Sequence, residues 1–305
     1  MAKLKLLVVG GTGFIGSHLV REGLKRGLDS YSLSLSKSKN TISGVTYLQA
    51  DIRNNESVVN AIGSIKFDYV IHCGGYINHV NYSNGGDNVI QEHLTSLYSI
   101  VKALDKTNMK RFLLLGSSDE YGAAEAPQNE NIRELPISPY SFAKVAGAHF
   151  LQMLFRTEKF PGTIARLFLT YGPGQDDKRF LPQIIKGCLE NKEFPTSSGE
   201  QYRDFCYIDD TVEGLFKILE STVVSGEIIN ISSGVKVTIR EMIEKVVGLV
   251  GSGKPKFGEI PYRVGENMAL YADVNKAYEL IGWKASVSLD DGLKRTIEFY
   301  QNQKP

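Results

Sequence analysis

The chain has 305 residues, of which 42% are hydrophobic and 23% are charged, so it is long enough for one large or two modest globular domains. Its 35 basic and 34 acidic residues give a formal net charge of +1, which excludes a global positive field for nucleic acid or for an anionic membrane. No apolar run approaches the length that spans a bilayer, and we expect a cytoplasmic protein. The three cysteines, Cys73, Cys188 and Cys206, are widely spaced and form no C-x-x-C pair, which predicts packing residues and no metal site.

The first predicted element is a strand that turns sharply into a helix. The apolar run from Leu6 to Val9 stops at two glycines, and Gly10, Gly13 and Gly16 then recur at three-residue spacing. These glycines allow a tight turn, a close approach of backbone N–H groups to a pyrophosphate, and a helix lying close on the strand. The helix N-terminus adds a positive end for the phosphates. The segment therefore predicts a dinucleotide-binding cradle.

Strand-like and helix-like segments alternate along the first half of the chain. The predicted helices lie at about residues 13–26, 87–106 and 139–157, and the predicted strands at 29–36, 46–48, 68–73, 111–115 and 163–167. This rhythm predicts an α/β fold of the Rossmann type, a doubly wound parallel sheet covered on both faces by helices.

The rhythm loosens after residue 168, where prolines and glycines punctuate shorter segments. We expect a dinucleotide-binding domain over residues 1–168 and a smaller C-terminal substrate-binding domain over residues 169–305. A predicted helix at 209–221 and a strand at 228–231 lie within a region, about 207–232, that can return to the main sheet.

Tyr140 and Lys144 lie four residues apart, which places them on one face of a predicted helix. Ser138 can cap this helix and Pro139 can occupy its first position, so Tyr140 stands at the helix start, where ligands gather beside the carboxyl ends of parallel strands. An ammonium beside a phenol favours the phenolate, so we expect Lys144 to lower the pKa of Tyr140. Ser118 lies just past a strand and can hydrogen-bond the substrate oxygen with which Tyr140 exchanges a proton.

Together these motifs resemble those of the extended short-chain dehydrogenase/reductases that act on nucleotide sugars, in the family's order and over nearly the whole chain. The motifs that carry the resemblance are GGTGFIG (10–16), AD (50–51), VIHCGG (70–75), SS (117–118), SPYSFAK (138–144), RLFLTYGPG (166–174), RDFCYIDD (203–210) and NISSG (230–234).

The resemblance implies roles for particular residues. Ser118, Tyr140 and Lys144 match the catalytic triad, in which Tyr140 exchanges a proton and Lys144 also holds the nicotinamide ribose. Arg203 and Arg263 match ligands of the substrate pyrophosphate. The implied cofactor contacts, besides Tyr140 and Lys144, are Gly10, Thr12, Gly13, Phe14, Ile15, Gly16, Asp51, Ile52, Cys73, Gly74 and Gly75.

The resemblance also implies a homodimer, in which the two long helices of each subunit form a four-helix bundle. On that expectation Leu97, Val101 and Phe150 are partly buried between subunits. Leu169 and His93 stand where many relatives have asparagines, so substrate contacts at these two positions are not carried over.

The end of the second strand departs from the NAD-binding pattern. Ser34 stands where NAD users of this family usually place an acid, and Ser36, Lys37 and Lys39 follow. Hydroxyl and ammonium groups suit a 2′-phosphate that a carboxylate would repel. The sequence therefore favours NADP(H), and NAD(H) remains open.

Asp119 and Glu120 follow Ser118 as acid and base residues do in the family's 4,6-dehydratases, and either can instead hydrogen-bond the substrate or the loop backbone. The SSDEYG stretch is one residue shorter than the dehydratase pattern between the serine or threonine and the Tyr-Gly pair, and it is similar to that of the nucleotide 4-keto-6-deoxyhexose reductases.

The expected function is thus NADPH-dependent reduction of such a sugar at C4. The alternatives are a C4 epimerase with retained NAD, a 4,6-dehydratase, and a dinucleotide-sensing module without activity. The expected partners are a nucleotide sugar and a second copy of the chain, with no nucleic acid and no membrane. His72 is expected to be structural, and His79 is expected to face the sugar.

Overall fold

The computed structural model describes residues 3–38, 40–262 and 265–303. The predicted roles of Lys39 and Arg263 lie outside these residues. Within the described ranges, none of the helices combines the length and the apolar character needed to cross a membrane.

A seven-stranded parallel sheet forms the centre of the molecule, with the strand order β10-β6-β5-β4-β1-β2-β3. Strand order reverses between β1 and β4, which is the place where doubly wound sheets open a ligand crevice at the carboxyl ends of their strands. The strands of this sheet are β1 (Lys5–Val9), β2 (Asp29–Ser34), β3 (Thr46–Gln49), β4 (Tyr69–His72), β5 (Arg111–Ser117), β6 (Gly162–Leu167) and β10 (Ile228–Ile231).

Helices cover both faces of this sheet because the side chains of each strand alternate between two cores. Along β1, Leu6 and Val8 pack into one core, whereas Leu7 and Val9 pack into the other. The helices are α1 (Phe14–Lys25), α2 (Asn55–Ile62), α3 (Gly86–Ala103), α4 (Pro139–Glu158), α5 (Phe180–Leu189), α6 (Ile208–Glu220), α7 (Ile239–Val250), α8 (Asn275–Ile281) and α9 (Leu289–Gln301).

The C-terminal part adds two small sheets. In the first, β9 (Tyr202–Tyr207) lies at the centre and pairs with β7 (Leu169–Tyr171), β11 (Lys236–Thr238) and β13 (Ala269–Leu270). In the second, β8 (Glu193–Thr196) pairs in parallel with β12 (Lys254–Phe257). Strand β10 crosses back and pairs with β6 of the main sheet, as expected for residues 228–231.

The α/β doubly wound fold predicted from the sequence is confirmed by this topology. The sequence did not predict α2, whose Asn54 cap accepts a hydrogen bond from the Ser57 amide. Strand β5 is also two residues longer than predicted and ends at Ser117.

One expectation about the dimer needs correction. Leu97 is 3% exposed and Val101 is 4% exposed, and both pack in the core between the sheet, α3 and α4 of one subunit. They are therefore unsuited to an interface between subunits. The apolar side chains that α3 and α4 do expose include Tyr98 and Met153. The Tyr98 ring packs edge-on against the Phe150 ring, with ring centroids 4.6 Å apart.

Candidate active site

The turn after β1 has the geometry of the predicted dinucleotide cradle. Gly10 has φ +82°, which glycine adopts without strain. A Cβ at Gly16 would lie 2.2 Å from the carbonyl oxygen of Gly10, so the helix can approach the turn this closely only at a glycine. Gly13 is the N-cap of α1, and since it has no side chain, the first-turn N–H groups point outward uncapped. These features fit a bound pyrophosphate.

The other predicted cofactor residues lie at the ends of the strands beside β1. Thr12 donates a hydrogen bond to Ser34 at the end of β2, with an O–O distance of 3.0 Å. Ile52, after β3, lies against Gly74, after β4, because a Cβ on Gly74 would stand 2.8 Å from Ile52 Cδ1. Adjacent strand ends thus bring these residues to one edge of the sheet. The remaining members of the predicted set at this edge include half-buried Phe14, Ile15 and Cys73, exposed Ser36 and Lys37, and Gly75 with φ +128°.

Asp51, predicted to contact adenine, has a local partner. Its carboxylate accepts hydrogen bonds from the Arg53 side chain at 2.9 Å, and Arg53 also pairs with Glu92 at 2.8 Å. The Arg53 guanidinium lowers the pKa of Asp51. The carboxylate is therefore held ionised at this edge of the cleft.

Tyr140 and Lys144 lie on the first turns of α4. Ser138 accepts a hydrogen bond from the Ser141 amide at 3.1 Å and Pro139 takes the first helical position, as the sequence predicted. Lys144 Nζ donates to the Leu115 carbonyl of β5 at 2.9 Å and lies 5.7 Å from the centroid of the Tyr140 ring. One helix start and one strand end thus hold the phenol and the ammonium together.

The charge environment of Tyr140 differs from the expectation. Its side chain is 5% exposed, and burial raises its pKa, as do the negative charges of Asp119 and Glu120. A hydrogen bond with the Ser117 side chain acts in the opposite direction. The expected lowering of the Tyr140 pKa by Lys144 is therefore not what this structure shows, because removal of the phenol from water dominates.

Of the two adjacent serines, Ser117 and not the expected Ser118 is the one whose side chain acts on the pKa of Tyr140, which it lowers by hydrogen bonding. Ser117 is the last residue of β5, whereas Ser118 begins a 3₁₀ helix at Ser118–Tyr121 and is itself buried. Two adjacent serines cannot be told apart by residue type. The sequence could have distinguished them by their spacing from the Tyr121-Gly122 pair. Three residues lie between Ser117 and this pair, and two lie between Ser118 and this pair.

Glu120 does not fit its expected contact with the substrate. Its side chain is 0% exposed, and its two oxygens accept hydrogen bonds from the Ser117 amide and from Arg166 Nε, both at 2.8 Å. Burial and this saturation close the carboxylate off from a ligand in the cleft.

Asp119 stays at the cleft. Its carboxylate oxygen lies 3.3 Å from His79 Nε2, and the His79 ring stacks on the Tyr140 ring with centroids 5.7 Å apart. These contacts place one carboxylate and one imidazole beside the phenol. The structure thus supports the expectation that His79 faces the reacting centre.

Two further imidazoles flank Lys144 on its buried side, where His72 and His93 line a small cavity with it. Burial lowers the pKa of His72 to about 3 and that of His93 to about 4, and Lys144 contributes to both shifts. Burial also raises the pKa of the neighbouring Cys73 to about 12. The side chains of His72, His93 and Cys73 are therefore neutral at pH 7.

Arg203 lies on β9 and is tied to the loop before β13. It donates to the Asn267 carbonyl at 2.8 Å and pairs with Glu266. The Asn267 side chain in turn donates to the Gly122 carbonyl, directly after the 3₁₀ helix that carries Asp119. The predicted pyrophosphate ligand is thus connected to the catalytic loop through Asn267.

Residues 6–232 match the model of the NAD dependent epimerase/dehydratase family. The chain belongs to this family. The match ends directly after β10, so it covers all of the seven-stranded sheet except the first residue of β1, and it includes the residues around Tyr140.

Similar proteins agree with the family assignment over nearly full length. The dTDP-glucose 4,6-dehydratase 1 of Escherichia coli is 26% identical over 97% of this chain and 92% of its own. The structure of a UDP-glucuronic acid 4-epimerase from Bacillus cereus, solved with UDP-glucuronic acid and NAD, is 26% identical, covers 99% of this chain and 100% of its own, and gives a TM-score of 0.88. The structure of a UDP-glucose 4-epimerase from Thermotoga maritima, solved with UDP-glucose, is 25% identical, covers 98% of this chain and 99% of its own, and gives a TM-score of 0.87.

These relatives are named as epimerases and dehydratases, and none of the three is named as a reductase. They support the alternative functions considered from the sequence better than the reductase that the sequence favoured. The Bacillus cereus structure contains NAD, so the predicted preference for NADP(H) stays a prediction.

Proposed function

We propose that this protein is a nucleotide-sugar C4 epimerase that oxidises and re-reduces the same carbon with a retained nicotinamide dinucleotide. The observation that carries the proposal is the placement of Tyr140 and Lys144 together on the first turns of α4, next to Ser117, whose side chain lowers the pKa of the phenol. This trio supplies the proton exchange that oxidation and reduction at one carbon require.

The placement of Ser117 also removes one of the grounds for the reductase, the length of the SSDEYG stretch. The short SSDEYG spacing that favoured a reductase exists only when the count starts from Ser118. Counted from Ser117, the missing residue is restored, and the stretch has the length expected of the dehydratase pattern.

Each residue of the trio has a distinct task in this proposal. Tyr140 acts as the phenolate when it takes the proton of the C4 hydroxyl, and as the phenol when it returns that proton to the hydroxyl regenerated with inverted configuration. Because burial favours the neutral phenol, the Ser117 hydroxyl and the Lys144 ammonium must stabilise the phenolate in the loaded site. The dinucleotide, when bound, supplies a hydride acceptor and donor for C4.

A 4,6-dehydratase is the second candidate, and the pairing of Asp119 with His79 favours it. Dehydration needs an acid and a base beside the sugar, and these two side chains stand next to Tyr140. Glu120 cannot serve as the acid or the base, because its carboxylate is buried and accepts a hydrogen bond from Arg166. The dehydratase therefore requires His79 to replace the second carboxylate.

Mass spectrometry of the product separates the candidates. With UDP-glucose, UDP-glucuronic acid and dTDP-glucose as probes, an epimerase leaves the mass of the substrate unchanged, whereas a dehydratase removes the mass of one water. We expect unchanged mass, and we expect Asp119→Asn to keep epimerisation measurable. A product lighter by one water that disappears in Asp119→Asn would establish the dehydratase instead.

We also propose that Arg203 binds the pyrophosphate of the substrate. Its partner Glu266 is a carboxylate, so a pyrophosphate oxygen can take the same place on the guanidinium. Arg203→Ala should then mainly raise KM, since the residue positions the sugar and does not take part in bond making.

For the assembly, the proposal is a homodimer through α3 and α4, with exposed Tyr98 and Met153 in place of Leu97 and Val101. Sedimentation at micromolar concentration should show a dimer that Tyr98→Glu weakens.

A further inference from the structure

A fully buried ion pair lies directly behind the catalytic serine. Arg166, on β6, is 0% exposed, and its Nε donates to Glu120 while its Nη2 pairs with Glu134 at 2.5 Å. The Tyr121 ring lies over the guanidinium, 4.6 Å from its centre. Removing Arg166 and Glu120 from water costs several kcal/mol per ion, so an arrangement of this kind is weak evidence for stability alone.

The backbone is shaped to admit this pair. Gly116 stands opposite Arg166 in the register of β5 and β6. A Cβ at Gly116 would lie 2.5 Å from Glu120 Oε1 and 3.2 Å from Arg166 Cγ. The carboxylate thus occupies the space that a side chain at residue 116 would fill.

The Glu120 oxygen that does not contact Arg166 makes a hydrogen bond in the active site. Glu120 Oε1 accepts the hydrogen bond of the Ser117 amide, which fixes the backbone that carries the Ser117 hydroxyl against Tyr140. With Glu120 and Glu134 on one arginine, the cluster has one net negative charge. We propose that Glu120, anchored by Arg166, is a positioning residue that sets the place of Ser117 and supplies the negative charge that balances Lys144.

The negative charge of Glu120 raises the pKa of both Lys144 and Tyr140. Burial lowers the pKa of Lys144, and Glu120 works against that shift. Burial raises the pKa of Tyr140, and Asp119 and then Glu120 raise it further. Tyr140 and Lys144 face each other, and among the described residues Tyr140 also faces Glu120, Asp119, Arg179, His79 and His93, while Lys144 also faces Glu120, Cys73, His72 and His93.

Glu134 offers a matched control. It binds the same arginine, but its other oxygen lies 3.6 Å from His149 on the outer side of α4, and neither oxygen contacts Ser117. Glu120→Gln and Glu134→Gln therefore each remove one carboxylate from Arg166. Only the first should disturb Ser117, Tyr140 and Lys144.

The first measurement is amide hydrogen exchange of the peptide that contains Ser117, which needs no substrate. We expect exchange at this amide to be at least about tenfold faster in Glu120→Ala and unchanged in Glu134→Ala, because the first variant alone removes the acceptor, whereas glutamine at residue 120 would keep an amide oxygen that can accept the bond. Equal exchange in the two variants would overturn the positioning role. Should Glu120→Ala not fold, Gly116→Ala displaces the same carboxylate and carries the same expectation.

The second measurement is the pH dependence of kcat, and this part rests on the proposed function. Loss of the Glu120 charge lowers the pKa of both Tyr140 and Lys144, so both limbs of the profile should move by about one pH unit to lower pH in Glu120→Gln. Glu134→Gln should keep the profile of the unmodified protein. Identical profiles in the two variants would overturn the electrostatic role. Faster exchange at Ser117 without turnover of any tested nucleotide sugar would instead count against the proposed function and leave the positioning role supported.

Discussion

The imidazole of His79 stacks on the phenol ring of Tyr140, with ring centroids 5.7 Å apart and planes inclined by 16°. The same imidazole pairs with Asp119 at 3.3 Å. His79 therefore has two separable effects on the reacting centre, a packing contact on Tyr140 and a polar contact with a carboxylate.

Two variants of His79 separate these effects. His79→Phe keeps a ring over Tyr140, and we expect it to retain kcat within about threefold, whereas His79→Ala loses the stacking and should lower kcat about tenfold. Steady-state kinetics on the same nucleotide sugar make the comparison. An equal loss in both variants would show that the contact with Asp119, rather than the stacking, is what the reaction needs.

A second prediction concerns the two adjacent serines. Because the Ser117 side chain lowers the pKa of Tyr140, Ser117→Ala should lower kcat by about ten- to a hundredfold with little change in substrate affinity. Ser118→Ala, a change of the same size one residue later, should stay within about threefold. The reverse order of the two variants would return the catalytic role to Ser118.

The Ser117 case shows where the sequence was sufficient and where it was not. Hydrophobic alternation and the spacing of the glycines predicted the sheet, and Ser138-Pro139 predicted the start of α4, because these signals are local. The end of β5 depends on its pairing with β6, up to Ser117 opposite Leu167, and no local signal shows where that ladder stops. The strand end decides which serine faces Tyr140.

Glu120 escaped prediction for a related reason. Its partner Arg166 is 46 residues away in sequence, and its space exists because residue 116 is glycine. From the sequence alone, Glu120 resembled its neighbour Asp119, although the fold buries one carboxylate and leaves the other at the cleft. Burial of a charged side chain depends on tertiary contacts that neither composition nor spacing records.

The third prediction concerns the choice of cofactor at the end of β2. Ser34, which accepts a hydrogen bond from Thr12, stands where an acid would repel a 2′-phosphate, and Lys37 is exposed nearby. Ser34→Asp should therefore weaken binding of NADP(H) by at least about tenfold relative to NAD(H). Fluorescence titration of both reduced cofactors measures the ratio. Equal affinities of the unmodified protein for the two cofactors, with no change of ratio in the variant, would reject the predicted preference.

The fourth prediction is that the protein loses stability in mild acid because of His72. Burial lowers the pKa of His72 to about 3 from its ordinary value of 6.5, so between these limits the unfolded chain binds a proton that the folded chain does not. The free energy of unfolding should fall by roughly 1.4 kcal/mol for each pH unit below about 6.5 on account of this residue. His93, with a pKa of about 4, adds a shift of the same sign.

Urea unfolding between about pH 7 and pH 5 tests this assignment. In His72→Leu, the free energy of unfolding should fall less steeply with decreasing pH than in the unmodified protein, by roughly the contribution of one histidine. Parallel declines in the two proteins would mean that His72 is charged in the folded state or is not buried there.

The most direct test of the central claim follows the sugar and the cofactor in one experiment. Purified protein is incubated with UDP-glucose, UDP-glucuronic acid or dTDP-glucose, proton NMR reports the configuration at C4, and absorbance reports the oxidation state of the cofactor. The account predicts that a C4 epimer accumulates to equilibrium with no net change in the cofactor, and that Tyr140→Phe abolishes this conversion while the sugar still binds. Stoichiometric oxidation of NADPH by a nucleotide 4-ketosugar, with no interconversion of C4 epimers, would contradict it.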